Sequence, residues 1–266
     1  MICIGVRARG SKAGLTLAEL MVAAGILAVI TVFSAEVMGN VSRVWLGGKG
    51  RSDTFTAARA LMTRVRIDLE RSLPRAELPG FVRSPAKEQL EFTTRVPGIV
   101  ESGAGSGGAQ VPNRPLSFVR YRLGASGSAE GGYLIREDRS FLWDDPPFAA
   151  DESSARPRLL CPNVLGFQHR FVRENGELSK VFSSDETAGQ ATVAVKVSIA
   201  VCDDRAFQTM KLTGKLADVE EVFASLEPEK WDEALNGSNE SIPPQARQGL
   251  RLFHQVVPLP MAGREE

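Results

Sequence analysis

The hydrophobic pattern of this chain changes character along its length. From Leu15 to Met38 nearly every position is apolar, interrupted by Thr16, Glu19, Thr31, Ser34 and Glu36. Length is the informative property of such a run, because about 20 apolar residues carry a helix across a bilayer. After Met38 the pattern turns amphipathic, with Val41, Val44, Trp45 and Leu46 set among Asn40, Ser42 and Arg43, until Gly47-Gly48-Lys49-Gly50 interrupts it. Phe55, Ala58, Leu61 or Met62, Val65, Leu69 and Ser72 or Leu73 then recur at steps of three and four, which predicts a helix with one apolar face. Arg59, Arg64, Arg66, Asp68, Glu70 and Arg71 are expected on its other face, and Pro74 supplies a stop. Taken alone, the pattern describes two helices joined by a glycine hinge.

Beyond Pro74 the period shortens to two. Gln89–Val96 and Leu116–Leu123 alternate, Tyr133–Arg136 is a short candidate strand, and Val164–Arg173 with Leu178–Phe182 predicts a hairpin turning at Asn175-Gly176. Ala191–Val201 is the strongest strand, with Val193, Val195, Val197 and Ile199 on one face. No long helix separates these strands, so an antiparallel sheet is expected. The stretches 102–115 and 144–157 are rich in glycine, serine, proline or acid and predict loops. A helix over Gly214–Leu226, a shorter one near Glu229–Leu235, a polar loop at 236–244 and a final strand near Leu250–Leu259 complete the expectation. The fold class is α+β.

Composition narrows the functions available. Lys plus Arg equals Asp plus Glu at 32 each, which argues against a general nucleic-acid binder. Two histidines and three cysteines leave little material for a multi-histidine metal centre, and no CxxC pair is present. Gly103–Gly108 satisfies GxGxxG, but Ala109-Gln110-Val111-Pro112-Asn113-Arg114-Pro115 cannot open the helix that a dinucleotide site requires. Neither a Walker A sequence nor a GxSxG elbow occurs. His169 and His254 are expected as ordinary sheet residues. Asp203-Asp204 suits a solvated turn or helix cap better than a calcium loop. No catalytic residue, metal ligand or cofactor is expected.

The amino terminus carries the sharpest signal. Arg7, Arg9 and Lys12 precede the apolar run with no acidic residue among them, placing the amino end in the cytoplasm and the bulk of the chain beyond the membrane. Glu19 sits inside that run, where a carboxylate is costly and marks a partner. Were the chain cut after Gly14, Leu15 would carry a new ammonium and Glu19 would lie four residues along the same helix face. The sequence Lys12-Ala13-Gly14-Leu15-Thr16-Leu17-Ala18-Glu19-Leu20 closely resembles the class III signal of type IV prepilins and type II secretion pseudopilins. It departs in having Leu15 where phenylalanine is commonest, and Ala18 where a larger aliphatic residue is usual. The competing signals are a secretory peptide cut poorly near Ala23-Ala24-Gly25 or Ser34-Ala35, and a plain anchor.

The resemblance implies cleavage between Gly14 and Leu15 by a prepilin peptidase, methylation of the Leu15 amine, and axial register set by Glu19 against a neighbour's amino terminus. It further implies one long helix over 15–73, kinked near Gly47 and spanning the inner membrane over about 15–38, with its second half packed on a sheet. Such a helix would be about 88 Å long. The expected organisation is a leader at 1–14, the helix at 15–73, a β-rich head at 74–210, and a carboxyl-terminal helix and strand at 211–266. The layout, with Trp45 and the arginine-rich helix, also resembles the prepilin-like family called Verru_Chthon cassette protein C. The implied role is a non-enzymatic, minor subunit of a type IV pilus or pseudopilus, with partners in other pilin-like subunits, an inner-membrane assembly platform and a cytoplasmic ATPase. A membrane-anchored periplasmic enzyme or sensor, and an adhesin head using the loop at 102–115, are the alternatives. Loss of the leader would remove Cys3 and take the basic count from 32 to 29 against 32 acidic side chains. It would leave Cys161 and Cys202 as candidates for a disulfide in an exported head.

Overall fold

A computed structural model describes residues 16–73, 89–96, 116–125, 127–141, 156–183, 190–237 and 242–260. The expected cleavage junction at Gly14 and Leu15, and the loop at 102–115, lie outside these residues. The chain divides into two units at Gly48/Lys49. One helix, α1, is assigned from Leu17 to Glu70, so helical hydrogen bonding carries through Gly47–Gly50.

In the first unit, Leu17–Ser42 is a 26-residue stretch of mean hydropathy 2.2 with none of its most apolar window buried. It is long and apolar enough to cross a membrane. An all-round apolar surface of this kind has no polar face to give to water.

In the second unit, the part of α1 from Lys49 onward is amphipathic. Thr54, Ala58, Leu61, Met62, Val65, Asp68 and Leu69 are buried, while Arg59, Thr63, Arg66 and Glu70 are exposed. Each fully buried Leu, Met or Val on this face stabilises docking by about 1.5–3 kcal/mol. Asp68 is a correction to the expected polar face. It lies on the buried side because an arginine and a tyrosine from the facing sheet reach its carboxylate. Past Glu70 the chain joins a sheet at once: Ser72 bridges Thr94, and the Leu73 N–H donates to the Thr93 carbonyl at 2.9 Å.

Two four-stranded antiparallel sheets follow, where the sequence pattern suggested one. The first, in spatial order β1-β2-β3-β4, contains β1 (Gln89–Thr94), β2 (Leu116–Leu123), β3 (Leu134–Phe141) and β4 (Arg156–Cys161). The second, β6-β5-β7-β8, contains β5 (Val164–Arg173), β6 (Leu178–Ser179), β7 (Thr192–Cys202) and β8 (Leu250–Pro258). The final strand returns to the sheet as expected, pairing with β7 from Ala194↔Pro258 to Cys202↔Leu250. The hairpin at Asn175-Gly176 also forms, with the Glu177 N–H donating to Asn175 Oδ1 at 2.9 Å.

The central strands of the second sheet, β5 and β7, are buried on both faces. Val195, Val197, Ile199 and Val201 of β7 join Ala58, Leu61, Val65 and Leu69 of α1, together with Leu90, Phe92, Val119 and Tyr121 of the first sheet, in one core. Ala200 and Cys202, alternating with them, face a second core built from α2 (Asp204–Leu212), α3 (Leu216–Ser225), the 3-10 turn Pro228–Lys230, α4 (Trp231–Asn236) and α5 (Pro244–Arg247). Of the turn or helix cap expected at Asp203-Asp204, the cap is what forms, and it opens helix α2. Gly214, expected to open a helix, instead separates two: its φ of +68° suits glycine, and the Lys215 N–H closes back on the Met210 carbonyl at 2.9 Å.

A β-bulge in β5 adjusts which residues face which core. Val164 pairs with Val201 and Gly166 with Ala200, leaving Leu165 as the extra residue. Val164 therefore enters the first core, Leu165 the second, and Phe167 the first again. Gly166 lies against α3, where an added Cβ would stand 2.6 Å from the Phe223 Cβ and 3.4 Å from the Trp231 ring. The residue must be glycine for α3 to approach so closely.

Candidate functional site

The start of α1 builds a site from three consecutive hydrogen bonds. The Thr16 N–H donates to Glu19 Oε2 at 2.9 Å, the Thr16 hydroxyl donates to the same oxygen at 3.0 Å, and the Glu19 N–H donates to Thr16 Oγ1 at 3.3 Å. This is a capping box, in which the side chains at the helix entrance satisfy each other's backbone N–H groups. Its signature, Thr-x-x-Glu ahead of an apolar run, was legible in the sequence and was missed there. Glu19 consequently has a local role alongside the intersubunit role implied by resemblance. The box holds its carboxylate at the first turn of the helix, against Thr16.

The head contains a buried charged cluster that the sequence did not reveal. Asp68 Oδ2 accepts from the Tyr121 hydroxyl at 2.6 Å and from Arg136 Nε at 2.7 Å, and Arg136 also pairs with Asp138. Arg64 approaches the other Asp68 oxygen at 3.3 Å. Burial alone would lower the Arg136 pKa, but the Asp68 carboxylate holds it above its ordinary value. Burial, and then that same carboxylate, push the Tyr121 phenol well above its ordinary value. Both shifts carry Arg136 and Tyr121 further from neutrality. The cluster fixes where α1 sits on the first sheet.

Asp203 has two structural tasks. Its Oδ1 accepts from the Ala206 N–H at 2.7 Å and caps α2, while its Oδ2 accepts from Arg51 Nε of α1 at 2.5 Å. The cap expected at Asp203-Asp204 is therefore formed, with both oxygens engaged. Among the described residues no group of three or more His, Cys, Asp or Glu side chains could hold a metal ion.

Both histidines lie on strands, as expected. His169 is buried among Phe167 and Phe171, with an edge-on ring contact to the latter at 5.4 Å. His254 Nδ1 lies 2.8 Å from Ser198 Oγ across the β7–β8 pair. That Ser–His contact resembles part of a nucleophilic dyad, but Ser198 is wholly buried and its oxygen cannot meet a substrate. Burial, then Lys196, lowers the His254 pKa.

Cys161 and Cys202 are both buried and carry free thiols. Cys161 ends β4 in the first core and Cys202 ends β7 in the second. The Pro162-Asn163 corner links these strand ends, with the Asn163 carbonyl accepting from the Cys202 N–H at 3.0 Å. Burial pushes the Cys161 thiol up to about 12 and raises Cys202 likewise, which makes both poor nucleophiles.

Comparison with known proteins returned no matching family model and no matching curated protein.

Proposed function

We propose that this chain is a non-enzymatic, minor subunit of a type IV pilus or type II secretion-like pseudopilus. It is inserted in the bacterial inner membrane with its amino end cytoplasmic and its head periplasmic. A prepilin peptidase would cut between Gly14 and Leu15 and methylate the Leu15 amine. The mature subunit would then join other pilin-like subunits on an inner-membrane platform through α1. The observation that carries this reading is the register of Gly14, Leu15 and Glu19 at the head of a 26-residue apolar helix.

Two structural features support it. Leu17, Leu20, Met21, Val22, Ile26, Leu27, Val29 and Ile30 are between 55% and 79% exposed, giving the helix an apolar surface suited to lipid or to neighbouring helices. Glu19 stands at the end of that surface, where a carboxylate can reach a neighbour's amino terminus. The two cores of the second unit contain no residue of this apolar stretch.

The test is assembly. The chain would be co-expressed with a prepilin peptidase, assembly platform and partner pilins, and sheared filaments probed for it. Wild type should appear in the filament fraction, whereas Glu19→Ala should be processed yet remain in the membrane. A Glu19→Ala chain that assembles as well as wild type would refute the register role, and wild type confined to the membrane would refute the subunit reading.

A further inference from the structure

A strand at the edge of a sheet carries a row of backbone groups that another chain can bond, and natural sheets blunt such edges with short strands, charge, proline or bulges. Three of the four edges here are blunted. The chain leaving α1 bonds the end of β1, through Ser72 on Thr94 and the Leu73 N–H on the Thr93 carbonyl. Strand β4 carries Pro157 between Arg156 and Arg158, and its register with β3 shifts at Leu134/Ile135. Strand β6 is two residues long. Strand β8 is different: it runs for nine residues, pairs with β7 without a bulge, and has Arg251 as its one Lys, Arg, Asp or Glu.

The Leu259 N–H donates to the Val193 carbonyl and the Asp203 N–H to the Gly249 carbonyl, both at 2.9 Å, so the odd-numbered positions of β8 turn their backbone groups toward β7. Leu250, Leu252, His254, Val256 and Pro258 therefore turn theirs outward, and among the described residues no backbone group meets them. The side chains of His254, Val256 and Pro258 are exposed, that of Val256 by 56%. This row is complementary to itself in one antiparallel register, centred on His254. There Leu252 faces Val256 of a second copy, and Leu250 faces Pro258. Pro258 has no N–H to give. The Leu250 carbonyl opposite it already accepts from its own chain's Arg251 Nη1 at 2.7 Å. Arg251 falls opposite Val257, so no like charges meet there. Burial, then Lys196, keeps the His254 pKa below its ordinary value, so the central pair is uncharged at neutral pH.

We propose that β8 is a dimerisation edge: it pairs antiparallel with β8 of a second copy, His254 opposite His254, so that the second sheets of two chains run on as one. A copy of β8 is the occupant the edge itself specifies, because its one missing donor falls where the one engaged acceptor stands. Leu252, His254 and Val256 exchange N–H···O bonds with the second copy in both directions, and the exposed Val256 side chain is covered by Leu252 of that copy. Only residues of the second unit take part, so the pairing goes beyond the filament reading and does not depend on it.

The full-length chain would be examined by sedimentation equilibrium in a density-matched mild detergent, where wild type should be a dimer. Val256→Pro removes an outward N–H and leaves the bonds to β7 intact, so it should weaken the dimer at least roughly tenfold. Val256→Thr keeps that N–H and should dimerise like wild type. Oxidative cross-linking in a Cys3→Ser chain reads the register and decides the matter even if Val256→Pro fails to fold. His254→Cys places two thiols on α-carbons about 5.5 Å apart, within disulfide range, and should give a covalent dimer. Arg251→Cys places them ~20 Å apart and should not. A monomeric wild type, a dimer that Val256→Pro leaves unweakened, or cross-linking by Arg251→Cys as readily as by His254→Cys would overturn the proposal.

Discussion

Replacing Asp68 by alanine removes the carboxylate that joins α1 to the first sheet. The Tyr121 hydroxyl loses the oxygen it reaches at 2.6 Å, and Arg136 loses one at 2.7 Å while only 1% exposed. Breaking a buried ion pair from one side costs about 3–5 kcal/mol, because the remaining charge stays buried. Arg136 keeps Asp138, which favours the lower end, while the orphaned phenol adds about 1–3 kcal/mol. The expected loss for Asp68→Ala is therefore about 4 kcal/mol, a large share of a typical domain's stability of about 5–15 kcal/mol. Arg136→Met should cost about as much, since it strands Asp68 and Asp138 together, whereas Tyr121→Phe should cost only about 1 kcal/mol. The double variant Asp68→Ala/Arg136→Met should lose about 2–3 kcal/mol less than the sum of the singles. Urea unfolding of the full chain in mild detergent, followed by near-ultraviolet circular dichroism, would measure all four. Single losses below about 1 kcal/mol, or costs that simply add, would refute the view that this cluster holds α1 in place.

Three further outcomes are expected. Gly166→Ala places a methyl group 2.6 Å from the Phe223 Cβ and should destabilise the head by about 1–3 kcal/mol in urea melts; an unchanged midpoint would show that α3 can retreat freely. The thiols should give an alkaline limb: an unfolded cysteine ionises near 9.0, while folded Cys161 holds its proton to about 12, so its contribution is complete below the first value and is lost as pH rises toward the second. At about pH 10.5 the Cys161 term alone is about 2 kcal/mol, so Cys161→Ala/Cys202→Ala should flatten the decline; an equally steep decline would assign it elsewhere. In denaturant without reductant, iodoacetamide should label both Cys161 and Cys202, because they occupy separate cores as free thiols. Labelling that requires prior reduction would instead establish a disulfide.

The elements that were legible in the sequence are those whose burial follows a simple period. Leu116–Leu123 and Val164–Arg173 fall within their expected bounds, and Ala191–Val201 is shifted by one residue, because alternation and turn residues agree there. Strand β4 was missed: its Arg-Pro-Arg-Leu-Leu-Cys sequence has no alternation, and only the register with β3 makes it a strand. Helix α2 was missed because its signal is the Asp203 cap with Ala206, Phe207 and Met210 buried on one side, and the adjoining strong strand drew attention from it. The division into two sheets depends on the Pro162-Asn163 corner, where Asn163 adopts a φ of +57°, which no hydrophobic period records. Asp68 looked like a surface acid because its partners are 53 and 68 residues distant. At the amino terminus the situation reverses: the Gly14, Leu15 and Glu19 register is a sequence property, and structure adds the Thr16–Glu19 box to it.

The account turns on whether this amino terminus is processed. Intact mass and amino-terminal sequencing after co-expression with a prepilin peptidase, alongside a Gly14→Ala control, would test it most directly. The expected product begins at a methylated Leu15 and is lost in Gly14→Ala. An uncut chain, or one beginning near Ala35 or Glu36, would contradict the filament reading.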